Sequence, residues 1–228
     1  MIKRALEAGL IEMAVTNPRD FTKSRHRQVD DTIYGGGAGM LMMCQPLFDA
    51  CHHVLPEKGP RDRVIFLSPA GKTFNQDKAK ELQRDYDHLV LICGHYEGVD
   101  HRVEEHLADE LISIGDYVLT GGELGAMVIS DAVARMVPGV LGDAGSAATD
   151  SFYEPILEYP QYTKPAEYNG WKVPDVLLSG HHANIARWRR KEALRRTMVY
   201  RPDLLEGQEL SKEDRKLMAE IKEELIHS

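Results

Sequence analysis

The sequence predicts an α/β fold in which a parallel sheet is covered by helices on both faces, with a small helical region after it. Short apolar runs of strand length alternate with helix-length segments from about residue 10 to residue 137. These runs show no apolar–polar alternation, which is typical of strands buried on both faces. After Pro138 the composition shifts to Gly, Ala, Ser, Pro and Tyr. A chain of 228 residues suffices for one large domain, or for one domain and a smaller one.

The individual elements follow from hydrophobic periodicity and from the turn residues that flank each segment. We expect strands at residues 10–15, 63–67, 88–93 and 110–114. We expect helices at residues 46–55, 76–86, 99–108 and 122–136. Two further helices are predicted at residues 183–197 and 211–226, the second preceded by a Ser-x-x-Asp capping pattern.

Composition and charge exclude several classes of protein. Hydrophobic residues make up 43% of the chain and charged residues 28%, which excludes a disordered protein. A protein that coats nucleic acid nonspecifically is usually basic, and the net charge here is −8. Only a local basic segment, residues 187–201, predicts RNA contact. The apolar runs are far shorter than the roughly 20 residues of a membrane span, the N-terminus lacks a signal peptide pattern, and three cysteines suit a reducing cytoplasm.

The composition shift predicts three parts. Residues 1–138 form the α/β domain, residues 139–168 a flexible linker, and residues 169–228 a helical domain.

Three predicted strands each end in a loop that contains glycine: LSPAG at residues 67–71, CGHYEG at 93–98 and IGDYVLTGG at 114–122. One such loop is more simply a turn, but ligands of open α/β sheets bind where the strands end. Three loops together therefore favour a ligand site. Glu97 is well placed to face the ligand, and the apolar residues of the third loop suit a flat ring such as adenine.

The glycine-rich segment YGGGAGM, residues 34–40, matches neither a dinucleotide-binding nor a Walker pattern. Taken alone, it is equally consistent with a flexible turn and with a ligand-binding loop.

These segments occur in a characteristic order, together with RMVPGVLG, TDSF, EYPQYTKP and VPDVLLSGHHANIARWRR. In that order they closely resemble the bacterial tRNA (guanine-N1)-methyltransferase family, which belongs to the SPOUT superfamily. The resemblance implies a deep trefoil knot at the C-terminal end of the α/β domain. It implies methyl transfer from S-adenosylmethionine to N1 of guanine at tRNA position 37, when a guanine precedes it. It also implies a homodimer whose active site lies across the subunit interface.

The resemblance assigns roles to individual residues. Asp150 would be the general base, although taken alone this aspartate would more simply cap a turn; Arg135 would stabilise charge on the guanine. The residues implied for the cofactor are Leu67, Ser68, Pro69, Gly94, Tyr96, Glu97, Ser113, Ile114, Gly115, Asp116, Tyr117, Val118, Leu119, Gly121 and Gly122. The residues implied for tRNA are Arg19, Arg25, Arg27, Tyr34, Gly36, Ser179, His181, Arg187, Arg189 and Arg190. We expect no dedicated metal site, with Mg²⁺ possible near Glu97.

Two alternatives stay open at this point. The chain could be a different SPOUT methyltransferase that acts on another RNA atom. It could also be a truncated, inactive tRNA-binding module, because the resemblance implies that the first strand of the family precedes Met1. His95 stands where an arginine is common in the family, which weakens any expected role for that position.

Overall fold

The structure is a computed structural model that describes residues 1–142 and 150–226. The chain divides into two compact units, Met1–Asp143 and Ala144–Ser228. Residues 143–149, part of the predicted linker, and residues 227–228 lie outside the described part of the chain.

The first unit alternates helices and strands. Its elements are α1 (Ile2–Glu7), β1 (Asp30–Asp31), β2 (Leu41–Met42), α2 (Cys44–Val54), β3 (Asp62–Thr73), α3 (Gln76–Asp85), β4 (His88–Ile92), α4 (Arg102–His106), β5 (Glu110–Ser113) and α5 (Glu123–Ala134). Strands β4, β3 and β5 form a parallel sheet in that order, with β3 in the centre. The predicted α/β class with a parallel sheet is confirmed.

The central strand explains why helices cover both faces of this sheet. Successive residues of β3 point to opposite faces. Val64 and Phe66 pack into a cluster with Leu47 and Val103 of α2 and α4. Ile65 points the other way, into a cluster with Leu82 of α3 and Ile129 of α5. The run of apolar residues in β3 therefore fills two cores at once.

Strand β3 is longer than predicted, because it continues through the segment that we assigned to a loop. It pairs with β5 twice, through Leu67 and again through Lys72, and the register shifts between them. Gly71 makes this possible, since a Cβ there would overlap the backbone of Leu111 and Ile112. Long-range pairing thus outweighs the local turn preference of the Pro and Gly residues.

The strand predicted at residues 10–15 is wrong. That segment has no regular secondary structure, and Leu10, Met13 and Val15 are exposed. Apolar side chains alone do not make a strand without a hydrogen-bonding neighbour. The short antiparallel pair β1–β2 is not predicted by the sequence, because its two-residue strands are too short to show a period.

The described part of the second unit contains a hairpin and three α-helices. They are β6 (Glu167–Tyr168), β7 (Trp171–Lys172), α6 (Asp175–Leu178), α7 (His182–Tyr200) and α8 (Lys212–Ile226). Helices α7 and α8 pack through Leu194, Leu217 and Ile221. The hairpin turns through Asn169 and Gly170, both with positive φ. Among the described residues, no helix combines the length and apolar character needed to cross a bilayer.

Candidate functional site

A cleft of about 220 Å³ lies in the first unit, at the ends of β4 and β5 and beside residues 67–69 of β3. The lining residues are Leu67, Ser68, Pro69, Gly94, His95, Tyr96, Glu97, Gly98, Ile112, Ser113, Ile114, Gly115, Tyr117, Val118, Leu119, Thr120, Gly121, Gly122 and Gly125. They include every residue predicted for the cofactor except Asp116. The three glycine-containing segments, predicted separately, therefore form one site.

Glycines bring the walls of this cleft close together. The amide of Gly122 donates to the carbonyl of Gly94 at 3.0 Å. A Cβ on Gly122 would lie 2.7 Å from Cα of Cys93. The start of α5 can therefore pack directly on the end of β4, and backbone groups rather than side chains form this part of the wall.

His95 and Glu123 form a polar pair at the edge of the cleft. Nε2 of the imidazole lies 2.5 Å from Oε1 of the carboxylate. This hydrogen bond holds the pKa of Glu123 below its ordinary value. Nearby, burial and then the charge of Glu123 raise the pKa of the Cys93 thiol to about 11, so the thiol stays protonated at neutral pH. His95 is not among the residues predicted for the cofactor, although its position between two of them, Gly94 and Tyr96, is a signal for that role.

The glycine-rich segment 34–40 contacts the same cleft. The amide of Glu97 donates to the carbonyl of Met40 at 3.0 Å. Gly39 has a φ of +80°, and a Cβ there would overlap the Glu97 side chain. Tyr34, at the other end of the segment, is fully exposed, and Gly36 also has positive φ. The segment is therefore a loop that positions Glu97 and exposes an aromatic ring.

The N-terminal basic residues reach the same edge. Arg19 donates through Nη2 to the hydroxyl of Tyr96 at 2.8 Å and through Nη1 to the carbonyl of Arg27 at 3.0 Å. Arg27 pairs with Asp20, and Arg25 is exposed. Arg19, which is predicted to bind tRNA, thus contacts Tyr96, which is predicted to bind the cofactor, within the first unit.

The two predicted catalytic residues belong to different units. Arg135 is half-buried at the C-terminal end of α5 in the first unit. Asp150 begins a turn in the second unit, with its carbonyl accepting from the amide of Tyr153 at 3.3 Å. The hydroxyl of Thr197 on α7 accepts from the amide of Leu157 at 2.9 Å, so the segment after Asp150 is anchored to α7.

Helix α7 carries the predicted basic residues, but most of them pair with acids. Arg190 contacts Asp214 at 2.8 Å and holds the pKa of that buried carboxylate below its ordinary value. Arg187 pairs with Glu220 at 2.6 Å. Arg189 instead lies with its guanidinium 4.9 Å from the ring centroid of Tyr159. The positive charge that the sequence indicates for α7 is therefore divided between two faces of the helix.

Ser179 and His181 lie just before α7 and are exposed. The hydroxyl of Ser179 accepts from the amide of His181 at 3.2 Å. Within residues 1–142 and 150–226, no three His, Cys, Asp or Glu side chains are grouped to hold a metal ion.

Comparison with known proteins identifies the family. The family model described as tRNA (Guanine-1)-methyltransferase TrmD matches residues 1–207. The chain belongs to this family. A tRNA (guanine-N(1)-)-methyltransferase of Halalkalibacterium halodurans is 53% identical over 224 residues, which cover 98% of this chain and 91% of the relative. One of Desulforamulus reducens is 54% identical over 227 residues, covering 99% and 89%.

Membership of the tRNA (guanine-1)-methyltransferase family confirms the resemblance that the ordered motifs indicate. The roles of the individual residues stay predictions. The cleft adds His95, Gly98, Ile112, Thr120 and Gly125 to the cofactor candidates. Gly125 lies inside α5, where a Cβ would come within 3.1 Å of Leu67 Cδ1. Its small size matters only because helix and strand meet there, which no local sequence pattern shows.

Proposed function

We propose that this protein transfers a methyl group from S-adenosylmethionine to N1 of guanine 37 in tRNA, when a guanine precedes it. The observation that carries this proposal is the family match over residues 1–207. The relatives described above are named tRNA (guanine-N(1)-)-methyltransferase. The proposal is supported by the cleft of the first unit, because the residues predicted for the cofactor line this one cleft together.

The cleft suits S-adenosylmethionine because it combines an apolar wall with close-lying backbone groups. Ile114, Val118 and Leu119 offer apolar surface to a flat ring, and the glycine-containing segments let peptide N–H and C=O groups reach its edge. When bound, S-adenosylmethionine supplies an electrophilic methyl group on a sulfonium. The role of this chain is to hold that methyl close to the guanine and to exclude water.

Guanine N1 carries a proton at neutral pH and is a poor nucleophile until it loses that proton. In the proposal, a carboxylate oxygen of Asp150 accepts the proton and frees the lone pair of N1. The guanidinium of Arg135 stabilises the negative charge that develops at O6. N1 lies on the Watson–Crick edge, so an unpaired loop base is the accessible substrate.

A Mg²⁺ site near Glu97 stays a prediction. Glu97 is a single carboxylate packed on Gly39, and no metal-binding group of three side chains includes it in the described part of the chain. Mg²⁺ can bind through one or two carboxylates and water, but no step of the proposed reaction is assigned to it.

The proposal includes a homodimer and a cytoplasmic location. Leu124, Met127 and Val128 are exposed and spaced to lie on one face of α5, as expected for a helix that packs on a second subunit. The three cysteines are free thiols, which fits a reducing compartment. The trefoil knot is also part of the proposal and is supported by family membership.

The test is methyl transfer from labelled S-adenosylmethionine to two tRNA transcripts, one with G36–G37 and one with A37. We expect N1-methylguanosine, identified by mass spectrometry of the nucleosides, only with the first transcript. Asp150→Asn should lower the rate by about 10²–10⁴-fold, because it removes the base and keeps the shape. The matched control is Asp175→Asn, an exposed aspartate at the start of α6 in the same unit, which should keep the wild-type rate.

Three results would contradict the proposal. Labelling at another atom would favour a different SPOUT methyltransferase. Binding of tRNA by the folded protein without labelling would favour an inactive binding module. Full activity of Asp150→Asn would overturn only the role of Asp150 as the base and would leave the rest of the proposal standing.

A further inference from the structure

A second cavity, of about 440 Å³, lies within the second unit. It is lined by the extended segment at residues 159–164, by Ala166 and Val173 at the base of the β6–β7 hairpin, and by α6 and α7. Val173, Leu177 and Ile185 supply apolar surface, and all three are half-buried. The volume is within the ~300–1,000 Å³ range of small-molecule sites. None of the residues assigned to the cofactor or to catalysis lines this cavity.

Aromatic rings form the walls of this cavity. The ring centroids of Tyr162 and Trp188 lie 6.4 Å apart with their planes tilted by 51°. The guanidinium of Arg189 lies 4.9 Å from the ring of Tyr159. Tyr162 is half exposed, so a ligand can reach its ring from solvent. The cavity thus presents flat aromatic surface beside a cation.

The charged side chains that line the cavity are all cationic. Lys164 and Arg189 are exposed lining residues, and the lining contains no Asp or Glu among the described residues. Other cations of α7 are engaged elsewhere: Arg190 pairs with Asp214, and Lys191 pairs with Glu220 at 3.0 Å. Helix α7 therefore has one face that holds α8 and another that offers charge and rings to an anionic, aromatic ligand.

We propose that this cavity binds an unstacked nucleobase of the substrate tRNA against Tyr162 and Trp188, while Arg189 contacts the adjoining phosphate. The inference rests on the proposed function, which supplies tRNA as the substrate. RNA loops offer unpaired bases that stack on aromatic side chains. The cations match the RNA backbone, and the size suits one nucleotide. The cavity is thus a tRNA-binding site separate from the cleft of the first unit.

The first experiment uses intrinsic fluorescence of the full chain. The chain has two tryptophans, and Trp171→Phe leaves Trp188 as the only one. Trp171 is exposed on the hairpin and does not line the cavity, so the protein should fold normally. We expect addition of tRNA to quench Trp188, because a stacked base contacts the indole. No quenching at saturating tRNA would overturn the inference.

The second experiment measures the Kd for tRNA, and its salt dependence, for point variants. Tyr162→Ala should raise the Kd roughly 5- to 100-fold with little change in salt slope, since it removes stacking. Tyr162→Phe keeps the ring and should restore wild-type affinity. Arg189→Ala should weaken binding and reduce the salt slope by about 1, as expected for one lost phosphate contact. Arg215→Ala, an exposed arginine of α8 outside the cavity, controls for lost charge and should have a smaller effect than Arg189→Ala.

The outcomes distinguish this inference from the proposed function. If the wild-type protein methylates tRNA but Tyr162→Ala binds tRNA normally, the cavity inference is wrong and the proposed function stands. If no methylation occurs, the proposed function fails independently of the quenching result. A blue shift of Trp188 with protein concentration alone, without RNA, would show that a second copy covers the cavity and would also overturn the inference.

Discussion

Gly71 shows how one absent side chain controls the packing of two strands. A Cβ at this position would overlap the backbone of Leu111 and Ile112, and backbone cannot rotate away as a side chain can. We expect Gly71→Ala to lower the free energy of unfolding by about 1–3 kcal/mol, as overpacking typically does. Urea unfolding measures the change.

The control for Gly71→Ala is Gly142→Ala. A Cβ on Gly142 meets nothing within 4 Å, so this substitution should leave the urea midpoint nearly unchanged. Equal midpoints for the two variants would contradict the argument from close approach of the strands.

Two neighbouring arginines of α7 show what the sequence can and cannot indicate about a single residue. Arg189 and Arg190 are neighbours in one basic run, and sequence analysis gave them the same role. In the structure Arg190 pairs with Asp214, whereas Arg189 lies on the ring of Tyr159. Their partners are far away in the sequence, so only the packing of α7 could assign them different contacts.

Among the elements, the glycine-rich loop at residues 34–40 has a role that can be tested. Gly39 has a φ of +80° and its missing Cβ leaves room for Glu97. Gly39→Ala should displace Glu97 and raise the Kd for S-adenosylmethionine roughly 10-fold, equivalent to about 1.4 kcal/mol. Isothermal titration calorimetry gives this value directly.

Gly35→Ala is the matched control for that loop. Gly35 has a similar φ of +83°, but a Cβ there meets nothing within 4 Å. Both variants carry the same backbone strain, and Gly39→Ala adds the overlap with Glu97. Only Gly39→Ala should raise the Kd for S-adenosylmethionine. An equal increase of this Kd in both variants would show that backbone strain, and not displacement of Glu97, causes the effect.

Prediction of the elements succeeded for strands buried on both faces and for helices with clear flanking turn residues. Strands β4 and β5 and helices α2, α3 and α5 lie within a few residues of the predicted bounds. It failed at residues 10–15, where apolar side chains are exposed, and at β1–β2 and β6–β7, whose strands have two residues each. Strands that short carry no periodicity, and their pairing depends on turns and tertiary contacts.

At the scale of the whole molecule, charged pairs make the second unit sensitive to acid. Lys191 and then Arg195 lower the pKa of Glu224 to about 2, and Arg190 lowers the pKa of Asp214. Because the folded-state pKa values are depressed, these pairs stabilise the fold above the ordinary carboxylate pKa. That stability is lost as the pH falls from 4.5, the ordinary value for Glu224, toward 2.

Tryptophan fluorescence can follow this transition, because Trp171 and Trp188 both lie in the second unit. We expect the Tm reported by these residues to be constant between pH 7 and pH 5. At pH values below 5 we expect the Tm to decrease. In Lys191→Met the fall should be smaller, since Glu224 loses a partner that favours its charged form. An identical pH profile for the variant would contradict the assignment.

The proposed dimer makes a prediction at the same scale. Met127 is 66% exposed on the face of α5 that we assign to the subunit contact. Met127→Glu should give a monomer without methyltransferase activity, because a buried unpaired carboxylate is costly. Sedimentation equilibrium measures the mass, and circular dichroism checks that the fold is kept.

Glu57→Lys, at an exposed position between α2 and β3, changes a surface charge outside the proposed contact face and serves as the control. It should keep the mass and activity of the wild-type protein. An active Met127→Glu monomer would exclude an active site that needs both subunits.

The sequence by itself determined the family, the α/β class and the three glycine-containing segments of the cofactor cleft. These features depend on local patterns and on the order of motifs along the chain. Strand β4 and the CGHYEG segment that follows it show a local pattern and also have a fixed place in that order. Tertiary structure alone decided which arginines of α7 pair with α8, why Gly39 and Gly71 must lack a side chain, and that Tyr162 and Trp188 share a cavity. Each of these contacts joins residues that are distant in sequence, so their effect exists only once the chain has packed.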